Sequence, residues 1–133
     1  MEEQLITING RKFHGVTQEL SAAQDDYLIG QLRLAGAIEI LLAAEKNPTQ
    51  TAESLLTQIM VSGRSPYVLA GCLTEAGKPW TFEDAARNAE TFAAVTNSED
   101  KRAMSSAIVG FVVGFFQYAT AFAATSRKSS LQN

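Results

Sequence analysis

The sequence predicts a mainly α-helical domain opened by a short β-hairpin, and three observations predict it. Near the start, Leu5-Ile6-Thr7-Ile8 and Arg11-Lys12-Phe13-His14 flank Asn9-Gly10, a dipeptide that tolerates the positive φ angles of a type I′ turn. Helix starts and stops then recur along the chain, with apolar residues at three- and four-residue spacing between them. Finally, no charged residue occurs from Ala103 to Ser126, which predicts a long apolar C-terminal helix. The whole reads as a compact bundle of five or six helices, a single domain over 1–125 with the hairpin at about 5–14, and a polar tail over 126–133.

An isolated two-stranded hairpin is marginal in water, so Ile6, Ile8 and Phe13 are expected to lean on the helices or on another subunit's strands. No other segment gives a convincing strand signal. Ser21-Ala22-Ala23-Gln24 is a capping box that opens the first helix, and Gly36 is a natural stop. Ala37 to Glu45 continues or restarts the helix until Asn47-Pro48 interrupts it. There Asn47 is a cap, Pro48 suits the first helical position, and Gln50 completes a second box. Ala52, Leu55, Leu56, Ile59 and Met60 form the buried stripe of the next helix, which Gly63 ends.

Ser65-Pro66 repeats the cap-plus-proline start, with Leu69, Cys72, Leu73 and Ala76 as the stripe and Gly77 as a left-handed C-terminal position. Thr81-Phe82-Glu83-Asp84 opens another helix, with Trp80 placed to staple onto Ala85. Its predicted buried side is Phe82, Ala85, Ala86, Ala89, Phe92 and Ala93. Asn97-Ser98-Glu99-Asp100 opens the last helix, predicted over Ser98 to Thr125, with its acidic pair near the positive end of the helix dipole. Ser126 to Asn133 reads as a frayed tail.

Read face by face, the last helix carries a bulky stripe of Met104, Ile108, Phe111, Phe115, Tyr118 and Phe122, suited to a core. A second stripe is small: Ala103, Ala107, Gly110, Gly114 and Ala121, with Gln117 and Ala124 in the same spacing, which allows a second backbone to approach closely. Three readings follow. The helix is the central core element of the domain, or its small stripe is a seam between copies of the chain, or it is a single membrane span with Gly110 and Gly114 as a small-xxx-small pair. Gln117, Thr120, Ser105 and Ser106 dilute a span, and well-capped amphipathic segments precede it, so a membrane location is the least favoured.

Composition and charge narrow the function. Apolar residues are 46% and charged residues 19% of the chain, which places it among globular proteins. Fourteen acidic against 11 basic residues leave no broad positive field for phosphates, so nucleic acid is not expected as a partner. Cys72 is the one cysteine and Met1-Glu2-Glu3-Gln4 lacks the basic, apolar opening of a secretory signal, which predicts folding in the cytoplasm.

Chemistry is not legible. His14 is the single histidine and has no metal-ligand spacing around it. Cys72 sits on an apolar stripe, where a thiol acts as a small hydrophobe. Asp25-Asp26, Glu83-Asp84 and Glu99-Asp100 fall in first helical turns, where the helix dipole accounts for them better than acid/base catalysis does. Gly63-Arg64-Ser65 lacks the lysine and preceding glycine of a P-loop. Trp80 reads either as a packed staple or as an exposed anchor for a partner. No cofactor, metal or catalytic residue is expected, and a binding or scaffold role is favoured over an enzyme.

The stretch Ile6-Thr7-Ile8-Asn9-Gly10-Arg11-Lys12-Phe13 followed by Leu20-Ser21-Ala22-Ala23-Gln24 resembles the start of small tail assembly chaperones of long-tailed bacteriophages. Val68 to Leu73, Lys78-Pro79-Trp80-Thr81 and Ala89 to Thr96 are similar to the same group, so the resemblance spans most of residues 5–125. It implies a non-enzymatic protein of the host cytoplasm that coats the helical tape-measure protein and helps tail-tube subunits assemble around it. A homo-oligomer and a tape-measure or tail-tube partner are the expected associations. Two other readings stay open: a structural subunit of a virion or similar assembly, and a small single-span membrane protein.

Overall fold

A computed structural model describes residues 5–15, 20–42 and 48–131, with side chains over 5–15, 20–40 and 51–114. The hairpin forms as the sequence predicts: β1 (Leu5–Ile8) pairs antiparallel with β2 (Arg11–His14), placing Ile6 opposite Phe13 and Ile8 opposite Arg11. Asn9 and Gly10 adopt φ of 54° and 75°, the left-handed pair that a type I′ turn needs. The inner face of the hairpin is core, since Ile8 and Phe13 are fully buried and Ile6 packs against the same cluster.

Helix α1 (Ala22–Leu34) begins at the Ser21–Gln24 capping box, with both reciprocal bonds formed. Gln24, Leu28 and Leu32 are buried at four-residue spacing along one face. At its end Gly36, at φ 74°, allows a Schellman closure in which the Ala37 N–H donates to Leu32 O and the Gly36 N–H to Arg33 O. The Gln58 amide then satisfies Ala35 O at 2.8 Å. A short α2 (Ile38–Leu42) follows, and α3 (Pro48–Val61) starts on the expected proline. The caps assigned to Asn47 and Gln50 lie outside the described residues and side chains. Leu55 and Ile59 are buried as predicted, but Met60 is exposed because it stands at the margin of the helix face that Thr51, Leu55 and Ile59 bury.

The central helix is α4 (Ser65–Cys72), not the C-terminal one. Every residue from Val68 to Leu73 is buried, and the helix packs against α1, α3, α5 (Phe82–Ala93) and α6 (Ser98–Leu131). Being enclosed on all sides, it needs no amphipathic stripe, which is why a stripe of Leu69, Cys72 and Leu73 captured only half of it. Two local expectations are corrected here. Ser65 lies inside the helix and caps nothing, since Arg64 occupies the N-cap position without a side-chain bond. After Cys72 the chain turns extended, and Thr74–Glu75 form β3, which adds to the hairpin in the order β1-β2-β3 with Phe13 opposite Glu75. Gly77, at φ 83°, therefore serves the turn after a strand, and Ala76 donates its N–H to Lys12 O.

Helix α5 starts at Thr81, whose hydroxyl accepts from the Asp84 N–H. Ala85, Asn88, Ala89 and Phe92 are buried, whereas Phe82, Ala86 and Ala93 are exposed, which corrects the predicted stripe. Phe82 stands in the first turn, beyond the core, and meets the Trp80 ring edge-on instead.

Helix α6 corrects the sequence reading twice. It runs on to Leu131 without stopping at Thr125, so much of the predicted polar tail is helical. Nor is it apolar and covered all round. Over its described side chains, Ala107, Ile108, Phe111 and Val112 are buried, while Ser105, Ser106, Val109, Gly110, Val113 and Gly114 are exposed. The reason is geometric: α3, α4 and β1 pack against α6, and a Cβ built on Gly110 or Gly114 meets nothing within 4 Å. No helix among the described residues is long and apolar enough to cross a membrane.

Candidate protein-docking face

The uncovered side of α6 is the feature that stands out physically, because water-facing positions of a helix are ordinarily polar. Here Val109 and Val113 are 46% and 50% exposed, with Gly110 and Gly114 beside them. The bulky stripe divides cleanly where it is described: Met104 is half-buried, and Ile108 and Phe111 are in the core. Of the small stripe, Ala103 is half-buried and Ala107 belongs to the core, so it is not one continuous outer face. Only Gly110 and Gly114 are open, and a Cβ built on either meets nothing within 4 Å. Phe115, Tyr118, Ala121 and Phe122 lie beyond the described side chains.

Such openness has a measurable consequence. Glycine in a helix interior costs about 0.5–1 kcal/mol relative to alanine, so Gly110→Ala and Gly114→Ala are each expected to raise stability by about that amount. Thermal unfolding at low concentration checks this, and a loss of stability would show that something packs on these positions within the chain.

Beside this strip, α3, α4 and α6 leave an open groove of about 230 Å³. Met60, Leu69, Met104 and Ile108 give it an apolar floor, while Ser65, Ser105 and Lys101 supply its polar rim. Met60 and Val61, 56% and 77% exposed, extend the apolar surface along α3. The sequence reading missed this groove because it placed Met60 in the core. Lys101 carried no motif that could mark it. Only the junction of three helices brings these residues together.

Other polar features are structural. Arg11 reaches across the sheet with its guanidinium fork, bonding Glu75 at 2.7 and 3.2 Å and donating to the buried Asn88 Oδ1 at 2.8 Å. That hydrogen bond and the positive charge hold the Glu75 carboxyl below the usual carboxylate range. The folded state therefore binds fewer protons than the unfolded chain in this region. The stabilisation is fully present above the unfolded-chain glutamate pKa and is lost as pH falls through the lower folded value. With both side chains partly exposed, it amounts to about 0.2–1 kcal/mol. Acidification is accordingly expected to lower the urea midpoint more in the wild type than in Glu75→Gln.

Trp80 is a packing residue. Its ring meets Tyr27 and Phe82 edge-on at 5.5 and 5.1 Å, and its Nε1–H donates to Ala70 O at 2.9 Å. It packs against the core cluster to which Ala85 belongs, and the indole bond anchors it to α4 as well. Cys72 is buried, its thiol donates to Leu69 O, and burial pushes its pKa up, so the thiolate is disfavoured. His14 is half-buried at the end of β2. Among the described residues, no three His, Cys, Asp or Glu side chains gather closely enough to hold a metal ion. No known family model, curated protein or solved structure matches the chain.

Proposed function

We propose that the protein is a non-enzymatic assembly factor that binds an amphipathic helical partner, a tail assembly chaperone that engages the tape-measure protein and assists tail-tube assembly in the host cytoplasm. The uncovered apolar side of α6, with the groove where Met60 meets Met104 and Ile108, is the observation that carries this reading. Apolar helical surface of that kind is what helix-in-groove recognition uses. The resemblance in the hairpin and in the Val68–Leu73 and Lys78–Thr81 segments supplies the partner.

Co-purification of the intact chain with a tape-measure protein tests the reading, and the absence of a complex under tail-assembly conditions would sink it. A chaperone is also absent from finished particles. The chain at stoichiometric level in purified virions would instead identify a structural subunit, a role for which β1, paired on one side only among the described residues, offers a strand edge. Self-association through α6 is part of the proposal. The double variant Gly110→Leu, Gly114→Leu is expected to lower the mass seen by light scattering, and an unchanged mass would place the seam elsewhere.

A further inference from the structure

We infer that the groove between α3, α4 and α6 seats one large apolar side chain of a partner helix whose neighbouring residue is acidic and meets Lys101. This rests on the proposed binding of a helical partner and specifies how that partner is recognised. Size comes first. Ligand pockets for small molecules span about 300–1,000 Å³, whereas this groove holds about 230 Å³ and is open. That suits a single Leu, Phe or Trp side chain.

Composition supplies the second argument. Two of the four floor residues are methionines, Met60 and Met104, and the unbranched thioether adapts to side chains of different shape. Charge supplies the third. Lys101 stands on the rim with no salt bridge among the described residues, and Arg102, also exposed, follows it. The neutral rim groups, the hydroxyls of Ser65 and Ser105, add hydrogen-bonding capacity without opposing a carboxylate. An apolar floor edged by an unpaired cation selects a partner with an apolar residue and a carboxylate one helical turn apart, and disfavours one with a basic residue there.

Two fluorescein-labelled model helices test this on the intact chain by anisotropy. They are amphipathic Leu/Ala peptides, identical except for Glu or Lys four residues from the central leucine. The Glu peptide is expected to bind about 1.5- to fivefold tighter at low salt, with the margin shrinking at high salt. Lys101→Glu should reverse the preference. Ser105→Trp, at an exposed rim position that leaves the core untouched, should weaken both peptides by at least tenfold. Equal binding of the two peptides, no binding at millimolar concentration, or binding indifferent to Ser105→Trp overturns the assignment. A dimer of the wild-type chain that Ser105→Trp converts to monomer also overturns it, because a second copy would then be the occupant.

A parallel pull-down with tape-measure protein separates the two claims. If that protein is not captured while the Glu peptide binds through the groove, the groove stands and the chaperone reading falls. If it is captured equally by Ser105→Trp and Lys101→Glu, the chaperone reading stands and the groove does not.

Discussion

Phe13→Ala is expected to remove about 3–5 kcal/mol of stability, a large share of the ~5–15 kcal/mol that holds a typical domain folded. Phe13 is fully buried in β2 and meets Phe92 of α5 edge-on at 5.3 Å and 74°. Its strand is the middle one of the sheet, with Ile6 opposite on one side and Glu75 on the other. Truncating it therefore opens a cavity at the point where sheet and bundle share one core, and the surrounding backbone is paired on both edges and cannot collapse to fill it. Urea denaturation followed by tryptophan fluorescence measures the effect. A loss below about 1 kcal/mol would mean that the hairpin is an appendage and the bundle stands without it.

The second large effect comes from a glycine. Gly71→Val is expected to destabilise the fold by about 1–3 kcal/mol despite removing a poor helix former. A Cβ at Gly71 would lie 2.7 Å from Tyr27 Cδ1 and 2.8 Å from Leu28 Cδ2. Leu28 is itself fully buried and has nowhere to go, and Tyr27 is held against Trp80. Close approach of α1 to α4 also brings the Gln24 amide within 3.1 Å of Gly71 O, so pushing the helices apart breaks a buried hydrogen bond as well. Differential scanning calorimetry of Gly71→Ala, Gly71→Val and Gly110→Ala gives a direct contrast. The first two should lower the midpoint in order of side-chain size, and the third should raise it.

The local punctuation was readable because it depends on neighbours in sequence. Asn9-Gly10, the Ser21–Gln24 box, Gly36, Pro48 and Thr81 each satisfy or release backbone groups within a few residues, and each sits where the chemistry requires. What failed depends on distance. Thr74–Glu75 becomes a strand because β2 is there to pair with it, and two residues carry no periodicity to announce this. Val68 to Leu73 lacks a stripe because neighbours enclose it, whereas the charge-free run in α6 suggested enclosure that its neighbours do not provide over the described residues. An absence of charge says that a surface would gain from being covered; it does not say by which chain. The candidate docking face was half legible for that reason: Gly110 and Gly114 could be singled out from spacing alone, but a groove assembled from Met60, Leu69, Lys101 and Met104 could not.

One bond in the hairpin turn bears on how the chain reaches this structure. The Asn9 N–H donates to Asp100 Oδ2 at 3.0 Å across 91 positions, and the same carboxylate accepts from the Asn97 amide that starts α6. A hairpin made early in this sequence thus has its partner in the last described helix. Until the opening turn of α6 is in place, β1 lacks part of the surface that covers it, and closure must bring together segments 91 positions apart. Such long-range closure slows folding and lengthens the time apolar strand residues stay uncovered. Synthesis order, and not stability alone, therefore sets when β1 meets the helix that covers it.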